Sequence, residues 1–264
     1  MELKNFVIDR VLRGIMFHAT TDDVLFSLSQ ITNPQLSVTA DTVDAVDALG
    51  TPIMTFNRGK QAEFSAESSL FDLGLLAVQS GTTLDVASNA NQYNVPWFDE
   101  IKVVTADTAV LTRTPAAGTL KFVWVMNGDG TLGTKYAVGT DVTLSTKTLT
   151  FGTGTVPVGS RIFAPYEFTA SDASGSGAVR VNADAVNFPT GGKFILEVLG
   201  CDVCDPSTLY NAYIIFPNAK MLSDFDISFA TDSTHPFSMR ANQDYCDPDK
   251  LLFRVVIPEA ATAA

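Results

Sequence analysis

Hydrophobic and polar residues alternate in short runs along most of the chain. Segments 35–41 and 61–66 alternate with a period of two, which is the pattern of a strand with one buried face. Apolar runs at 24–28 and 53–57 predict two further strands. Turn-forming residues separate these runs at Asn33-Pro34, Leu49–Pro52 and Arg58-Gly59. The pattern therefore predicts an all-β fold.

One segment favours a short helix. Ser68-Ser69 can cap a run of apolar residues that extends to Val78, and Gly81 ends it. The apolar residues cover a wide face of this helix, so we expect the helix to pack on a sheet.

The pattern changes in the middle of the chain. From 95 to 168, short strands alternate with Gly and Pro turns at a spacing typical of a β-sandwich, and a small-residue linker follows at 170–177. Strand patterns then resume at 178–186, 193–199, 212–216, 225–229 and 251–256. We predict a discontinuous β-domain of residues 1–92 and 171–264, with a β-sandwich subdomain, 93–170, inserted into it.

The composition limits the classes of function that fit this chain. Hydrophobic residues make up 46% of the 264 residues and charged residues only 17%, so either a large core or contacts between subunits must account for the apolar surface. The formal net charge is −12, which argues against a partner held by neutralised phosphates. An acidic wall would suit a conduit that DNA passes without sticking, although the charge also serves plain solubility.

Three cysteines give no disulfide framework. Cys201 and Cys204 have the spacing of half a zinc site, but Cys246 and the two histidines, His18 and His235, supply no second pair. We expect thiols without a role.

No catalytic residue, cofactor site or metal site is expected. Residues 128–133 match the glycine spacing of a dinucleotide fingerprint, but a strand pattern follows where that motif requires a helix, so a hairpin loop is predicted. No serine lies in a nucleophile elbow. Asp244, Asp247 and Asp249 lack the spacing of a calcium loop and are interpreted as solvated acids. The N-terminus has no signal-peptide pattern, and no apolar run has membrane-spanning length.

Three stretches resemble the major tail proteins that form phage tail tubes. The first is Leu25–Val38, an early strand followed by a second one. The next runs from Ala48-Leu49-Gly50-Thr51-Pro52-Ile53 through Asn57–Ser65 to the predicted helix. The last combines 216–221 with 225–229 and the closing strand at 251–257. The order of elements carries the resemblance, which leaves out 95–170.

The resemblance implies a structural protein whose subunits close into hexameric rings and stack into a hollow tube. It implies a tail-tube β-sandwich or barrel with an immunoglobulin-like sandwich inserted on the tube exterior. Strands 36–42 and 60–66 are candidate edges for pairing between subunits. The implied partners are the chain itself, the tape measure protein, the tail terminator and baseplate or distal tail proteins. The implied location is the virion tail after assembly in the host cytoplasm, with no membrane contact.

Two features of the tube follow from the resemblance. The lumen of such tubes tends to be negative, and five acids near the candidate strands are predicted to face it: Asp41, Asp44, Asp47, Glu63 and Glu67. Outward-facing solvated acids are the competing interpretation. Residues 1–20 are expected to form an arm that docks on a neighbouring ring.

Two other classes of protein fit the same pattern. One is another virion β-protein, either a capsid decoration or a baseplate component. The other is a carbohydrate-binding adhesin module, with aromatic side chains lining a sugar site: Tyr93, Trp97, Trp124 and Tyr136. Aromatics in a sandwich fill the core more often than they line a site.

Overall fold

The structure is a computed structural model that describes residues 5–243 and 248–258. The chain divides into two compact units. The main unit comprises the described residues up to Leu84 and from Val181 onward, and the insert comprises Asp85–Arg180. The boundaries predicted from the sequence, 92/93 and 170/171, fall inside the insert. That the insert is a separate domain on a tube exterior stays a prediction.

Nearly all regular structure is β-strand, so the predicted all-β class with one short helix is confirmed. The main unit contains β1 (Phe6–His18), β2 (Val24–Leu28), β3 (Ile31–Val46), β4 (Pro52–Ser68) and α1 (Leu73–Gln79). The insert contains β5 (Asp85–Val86), β6 (Tyr93–Lys102), β7 (Thr108–Val110), β8 (Phe122–Met126), β9 (Leu132–Ala137), β10 (Val142–Ser145), β11 (Thr148–Phe151), β12 (Arg161–Ala170) and β13 (Val179–Arg180). The main unit closes with β14 (Gly191–Asp202), β15 (Asp205–Met221), β16 (His235–Ala241) and β17 (Arg254–Val256).

The described strands of the main unit form one sheet in the order β2-β1-β14-β15-β16-β4-β3, and β17 pairs with β15. On β4, Ala62, Phe64 and Ala66 are buried, whereas Glu63 and Ser65 between them face outward. The alternation predicted at 61–66 is therefore present. The buried side chains of this and the other long strands meet in one core, which includes Phe194 and Phe216.

From Phe6 to His18 the N-terminal segment is a strand of the sheet, so the prediction of a docking arm at 1–20 is wrong for this part, and residues 1–4 lie outside the described residues. β1 pairs with β14 along its length and with β2 at its C-terminal end. Gly14 and Met16 are buried in the middle of the sheet. Only every second residue in the second half of β1 is buried, and charged residues such as Arg10 and Arg13 face outward. This made the segment resemble a loosely apolar tail.

Three further expectations need correction. The predicted turn at Arg58-Gly59 lies inside β4, which runs unbroken from Pro52 to Ser68. From Ala62 to Ser68, β4 is also not an edge, because it lies between β3 and β16. Within the predicted strands 178–186 and 225–229, only Val179–Arg180 is a strand.

Helix α1 begins later than predicted. Its N-cap is Asp72, whose Oδ1 accepts a hydrogen bond from the Leu75 amide at 2.7 Å, and Ser68 belongs to β4 instead. The chain turns away at Gly81, which has φ +68° and whose α-carbon faces the backbone of Phe188. A Cβ there would approach the Phe188 carbonyl to 2.6 Å, so this tight exit requires glycine.

A buried histidine anchors α1 to the sheet. The His235 Nε2 donates to Gln79 Oε1 at 2.7 Å, and the Gln79 Nε2 donates to the Pro236 carbonyl at 2.9 Å. Nδ1 of His235 is buried without a hydrogen-bond partner among the described residues. Burial lowers the pKa of His235 below its ordinary value of 6.5, and the carboxylate of Asp72 only partly opposes this.

The main unit is expected to lose stability as the pH falls below about 6.5. The unfolded chain takes up a proton on His235 near that pH, whereas the folded chain does so only at lower pH, so acid favours the unfolded state. Urea unfolding followed by far-UV circular dichroism at pH 7.5 and 5.5 measures this. His235→Gln should reduce the difference between the two pH values, and an unchanged difference would exclude His235 as its source.

The described part of the insert contains two main sheets around its own core. Strands β6-β12-β8-β9 form one sheet and β10-β11-β7 the other, while β13 pairs with β5. Core side chains come from both sheets, including Val123, Leu149 and Ile162. β8 and β9 form a hairpin over residues 128–133, as predicted for the glycine motif. The immunoglobulin-like type of this insert stays a prediction.

A buried carboxylate organises one side of the insert. The Asp99 side chain accepts hydrogen bonds from Trp97 Nε1 at 2.9 Å, from the Thr112 amide at 2.8 Å and from the Tyr166 hydroxyl at 2.8 Å. Burial pushes the pKa of Asp99 upward, but the hydrogen bonds outweigh it and hold the pKa below its ordinary value. The group is structural, since its acceptor oxygens are already engaged within the insert.

Candidate assembly surface

A long two-stranded ribbon extends from the sheet of the main unit. β3 and β4 pair antiparallel from Ile31–Ser68 to Val46–Pro52. Every residue from Ser37 to Gln61 is exposed, and we call this segment the arm. An isolated two-stranded ribbon is only marginally stable in water. The arm is therefore expected to gain contacts from another surface.

The arm carries more apolar surface than a free ribbon needs. Its exposed large hydrophobic side chains are Val38, Val43, Val46, Leu49, Ile53, Met54 and Phe56. Leu49, in the turn at the tip, is 91% exposed. So many exposed apolar side chains in one segment of a folded protein indicate an interaction site.

A β-bulge at Gly59 shapes the arm. The register moves from Thr39–Gln61 to Asp41–Arg58, so β4 has one residue more than β3 at this point. Gly59 has φ +60°, and a Cβ there would lie 3.2 Å from Asp41 Oδ2. Such bulges bend and twist a ribbon, so the glycine that suggested a turn sets the direction of the arm instead.

β3 is also the end of its sheet. Among the described residues it pairs with β4 alone, so its second edge has backbone N–H and C=O groups without strand partners. An edge of this length is a template for pairing with another chain. The predicted edge segment 36–42 lies on this strand, whereas most of 60–66 lies in the part of β4 that is covered by β16.

The five candidate acids occupy different positions. Glu63 and Glu67 lie on the outer face of β4, opposite Ser37 and Thr32 of β3. Asp41 follows Ser37 on the same face, because alternate residues of a strand share a face. Asp44 lies on the other face of the arm, where it accepts from the Thr55 hydroxyl, and Asp47 lies in the turn at the tip. Three of the five therefore share one face of the ribbon, spread along its length.

Several of these acids have partners within the chain. The Arg240 Nη2 lies 2.7 Å from Glu63 Oε1, with both side chains about half exposed. Thr234 Oγ1 donates to Glu67 Oε2 at 2.9 Å. Asp47 Oδ1 accepts from the amides of Leu49 and Thr51, each at 2.9 Å, and so holds the tip turn. Asp47 thus has a structural role that its position in the sequence did not reveal.

Negative charge is concentrated in the main unit. Residues 85–180 contain seven Lys or Arg and eight Asp or Glu, whereas the rest of the chain contains ten and twenty-one. The excess of acids is therefore almost entirely outside the insert. Any electrostatic effect of the net charge therefore comes from the main unit.

The residues considered for other chemistry do not form a site. Cys201 and Cys204 are free thiols on β14 and in the turn that follows it. No group of three His, Cys, Asp or Glu suited to a metal occurs within residues 5–243 and 248–258. Cys246, Asp244 and Asp247 lie outside the described residues. None of the described helices is long and apolar enough to cross a bilayer.

The aromatics proposed for a sugar site are not brought together. Tyr93 is buried, and Trp97 and Tyr136 pack against the core of the insert. Trp124 alone of the four lies on the other face of its sheet, beside Phe163 and Phe122. The adhesin hypothesis loses its predicted site.

A protein-family model described as the YomU/Tube protein family matches residues 6–247. No curated protein matches the chain. The family match runs through both units, so it includes residues 95–170, which the sequence resemblance left out.

Proposed function

Because the chain belongs to the YomU/Tube protein family, a family of phage tail tube proteins, we propose that its copies close into hexameric rings that stack into the hollow tail tube. The tube is the conduit through which the phage ejects its DNA. The observation that carries this proposal is the exposed arm continuous with the free edge of β3. A chain with both features gains contacts by binding another copy of itself.

Ring closure gives hydrogen-bond partners to the unpaired backbone groups at the free edge of β3. In a ring, β3 of one copy hydrogen-bonds to a strand of the next copy, and the sheets join into one inner barrel. A closed ring leaves no edge free, which limits the assembly to a defined number of copies in each layer. The arm, which extends beyond the core of its own unit, then makes contacts between layers.

The lumen is lined by the outer face of β3 and β4 in this proposal. That face holds Asp41, Glu63 and Glu67, and the acid excess of the main unit gives the lumen a negative potential. Phosphates then pass without binding, because acids outnumber cations in the main unit about two to one. Asp44 and Asp47 lie on the other face and at the tip of the arm, so their predicted lumen positions are not part of this face.

Reversal of the lumen charge is expected to slow DNA ejection. Asp41→Lys combined with Glu67→Lys replaces two acids on the outer face by cations that bind passing phosphates. Phages carrying this protein should release a smaller fraction of their DNA in a fixed time at low salt. Because salt screens these contacts, higher salt should restore release. Ejection triggered in vitro and followed by dye fluorescence measures the effect.

The matched control is Asp172→Lys, which reverses an exposed acid in the insert. It should leave ejection unchanged. Equal ejection by the lumen variant, the control and the unmodified phage would contradict the lumen assignment.

The proposal assigns a structural role and no catalysis. Its partners are further copies of the chain, the tape measure protein inside the tube, the tail terminator at one end and baseplate or distal tail proteins at the other. The protein is assembled in the host cytoplasm and resides in the virion tail. Family membership favours this function over a capsid decoration or a baseplate component.

A further inference from the structure

A polar pocket opens on the insert beside the chain that connects β7 to β8. It has a volume of about 460 Å³, which is within the usual range for small-molecule sites. Its walls come from residues 112–116, from Lys147 in the turn between β10 and β11, from the end of β12 and from residues 174–176. All of these residues belong to the insert, so the pocket needs no surface of the main unit.

The lining of this pocket is positively charged. Arg113 and Lys147 line it, and no Asp or Glu is among the described residues that do so. Thr114, Ser174 and Ser176 add hydroxyl groups, which both donate and accept hydrogen bonds. In a chain with a formal net charge of −12, this combination matches a ligand that carries negatively charged oxygens.

Arg113 is held in one orientation. Its guanidinium lies 4.4 Å from the ring centroid of Trp97 and 4.2 Å from that of Phe168, and these two rings meet edge to face. Its Nη1 donates to the Gly175 carbonyl. A guanidinium has several N–H donors in one plane, so contact of its faces with the rings leaves N–H groups at its rim for a ligand. Because the side chain is already ordered, binding costs it little further entropy.

The buried carboxylate of Asp99 fixes the surroundings of Arg113. It accepts hydrogen bonds from the Trp97 indole at 2.9 Å and from the Tyr166 hydroxyl at 2.8 Å. The same hydroxyl accepts from the Arg113 amide at 3.0 Å. One ring partner of Arg113 and its backbone are therefore tied to a single buried group. Plain solubility does not require a surface cation to be positioned in this way.

Lys147 supplies a second charge next to Arg113. The Leu111 amide donates to the Lys147 carbonyl at 2.8 Å, which joins its turn to the segment that carries Arg113. The Lys147 side chain is exposed, and no carboxylate in the described part of the chain forms an ion pair with it. Asp172, two residues before Ser174, is exposed and does not line the pocket. The charge of Lys147 is therefore available to a ligand.

We propose that this pocket binds an oxyanion, a phosphate or a carboxylate group, carried by a small hydroxyl-rich molecule such as a sugar. Arg113 donates paired hydrogen bonds to two oxygens of the anion, as a planar guanidinium favours. Lys147 adds a second positive charge, and the hydroxyl groups of Thr114 and Ser174 bind those of the ligand. The inference goes beyond the proposed tube function, since every residue that carries it lies in the insert.

Titration of the purified full-length protein with small anions tests this site. Glycerol phosphate carries a phosphate, glucuronate carries a carboxylate and glucose carries neither, and isothermal titration calorimetry at low salt measures the binding of each. One or both anions should bind, and added KCl should weaken the binding because salt screens the charges. Glucose should give no heat of binding. Binding of one anion alone would identify which oxyanion the pocket takes.

Substitution of the two cations locates the binding. Arg113→Gln should raise the dissociation constant of the bound anion at least about tenfold, because it removes charged hydrogen bonds. Arg113→Lys keeps the charge but loses the planar donor pair, so it should restore only part of the affinity. Lys147→Gln should raise the dissociation constant about threefold, as an exposed charge contributes less. The matched control is Lys121→Gln, at an exposed position of the insert outside the pocket, which should change nothing.

Tryptophan fluorescence during urea unfolding shows whether each variant keeps a folded insert, because both tryptophans lie there. If Arg113→Gln impairs folding, Lys147→Gln still tests the pocket, since Lys147 makes no ring contact in the described part of the chain. Failure of both anions to bind, or equal binding of glucose, would overturn the site. Equal losses from Lys147→Gln and Lys121→Gln would show general attraction to the cations of the insert and would also overturn it. None of these outcomes bears on tube assembly.

Discussion

Removal of the arm is expected to leave a folded protein that no longer assembles. In the truncated variant, residues 40–60 are replaced by Asn-Gly, which joins the paired residues Thr39 and Gln61 by a two-residue hairpin turn. No buried side chain is lost, since every residue from Ser37 to Gln61 is exposed. The change in the free energy of unfolding should stay within about 1 kcal/mol, as for other surface changes.

Assembly should respond quite differently. The variant loses six of the seven exposed hydrophobic side chains of the arm, all but Val38, so electron microscopy and sedimentation should detect no tubes at concentrations where the unmodified protein forms them. Met54→Asp and Phe56→Asp test the arm by single substitutions. Val104→Asp and Val158→Asp, at two exposed residues of the insert, are their controls. Tubes of normal length from the truncated variant would show that the arm is not an assembly element.

Substitution of Phe194 by alanine is expected to be the most destabilising single change in the main unit. Phe194 is fully buried, and its ring centroid lies 5.5–6.4 Å from those of the other four rings in its cluster, Phe26, Phe64, Phe216 and Phe237. These rings come from five strands. The cavity left by the substitution would therefore be surrounded by side chains from most of the sheet. A Phe→Ala change in such a core costs about 3–5 kcal/mol, a large part of the stability of a typical domain.

The measurement needs a probe for each unit. Both tryptophans, Trp97 and Trp124, lie in the insert, so tryptophan fluorescence reports on the insert alone. Urea unfolding should show a lower midpoint in far-UV circular dichroism, with the fluorescence transition as an internal reference. Phe188→Ala, at an exposed position of the main unit, should change the stability by less than about 1 kcal/mol. Equal effects of the two substitutions would contradict the assigned core.

Much of the main unit follows from local pattern. The alternation at 61–66 predicted which side chains of β4 are buried, because that part of the strand has a core on one side and solvent on the other. The same rule gave little information about the part of β4 that precedes Gln61 and belongs to the arm. Where both faces of a ribbon are exposed, burial imposes no alternation, so 53–57 and 61–66 were interpreted as separate strands with a turn at Gly59.

Glycine at position 59 was misleading for a physical reason. A positive φ serves a tight turn and a β-bulge equally well. Only the register with β3, which depends on residues far away in the sequence, distinguishes the two. The arm, and with it the candidate assembly surface, was therefore not predictable from composition or periodicity.

Long-range pairing also explains the wrong prediction at the N-terminus. β1 is held by β14, nearly two hundred residues later, and nothing near residues 6–18 indicates that partner. The converse error occurred at 225–229, where an apolar alternation suggested a strand. Phe229 is exposed there, and the segment has no strand pairing. Exposed apolar side chains give the same sequence signal as apolar side chains in a core.

For the candidate acids, too, the sequence predicted only part of the arrangement. Their sequence positions could not reveal that Asp41, Glu63 and Glu67 share a face or that Asp47 holds a turn. The concentration of acids outside residues 85–180, by contrast, is a property of the sequence alone. Net charge could therefore suggest a conduit, whereas the shared face of these acids became evident only from the fold.

Negative-stain electron microscopy of the purified protein over a concentration series tests self-assembly most directly. The account predicts rings that stack into hollow tubes as the concentration rises, with tube length increasing when a tail initiator complex is added. Monomeric particles at every concentration, with and without the initiator, would contradict it.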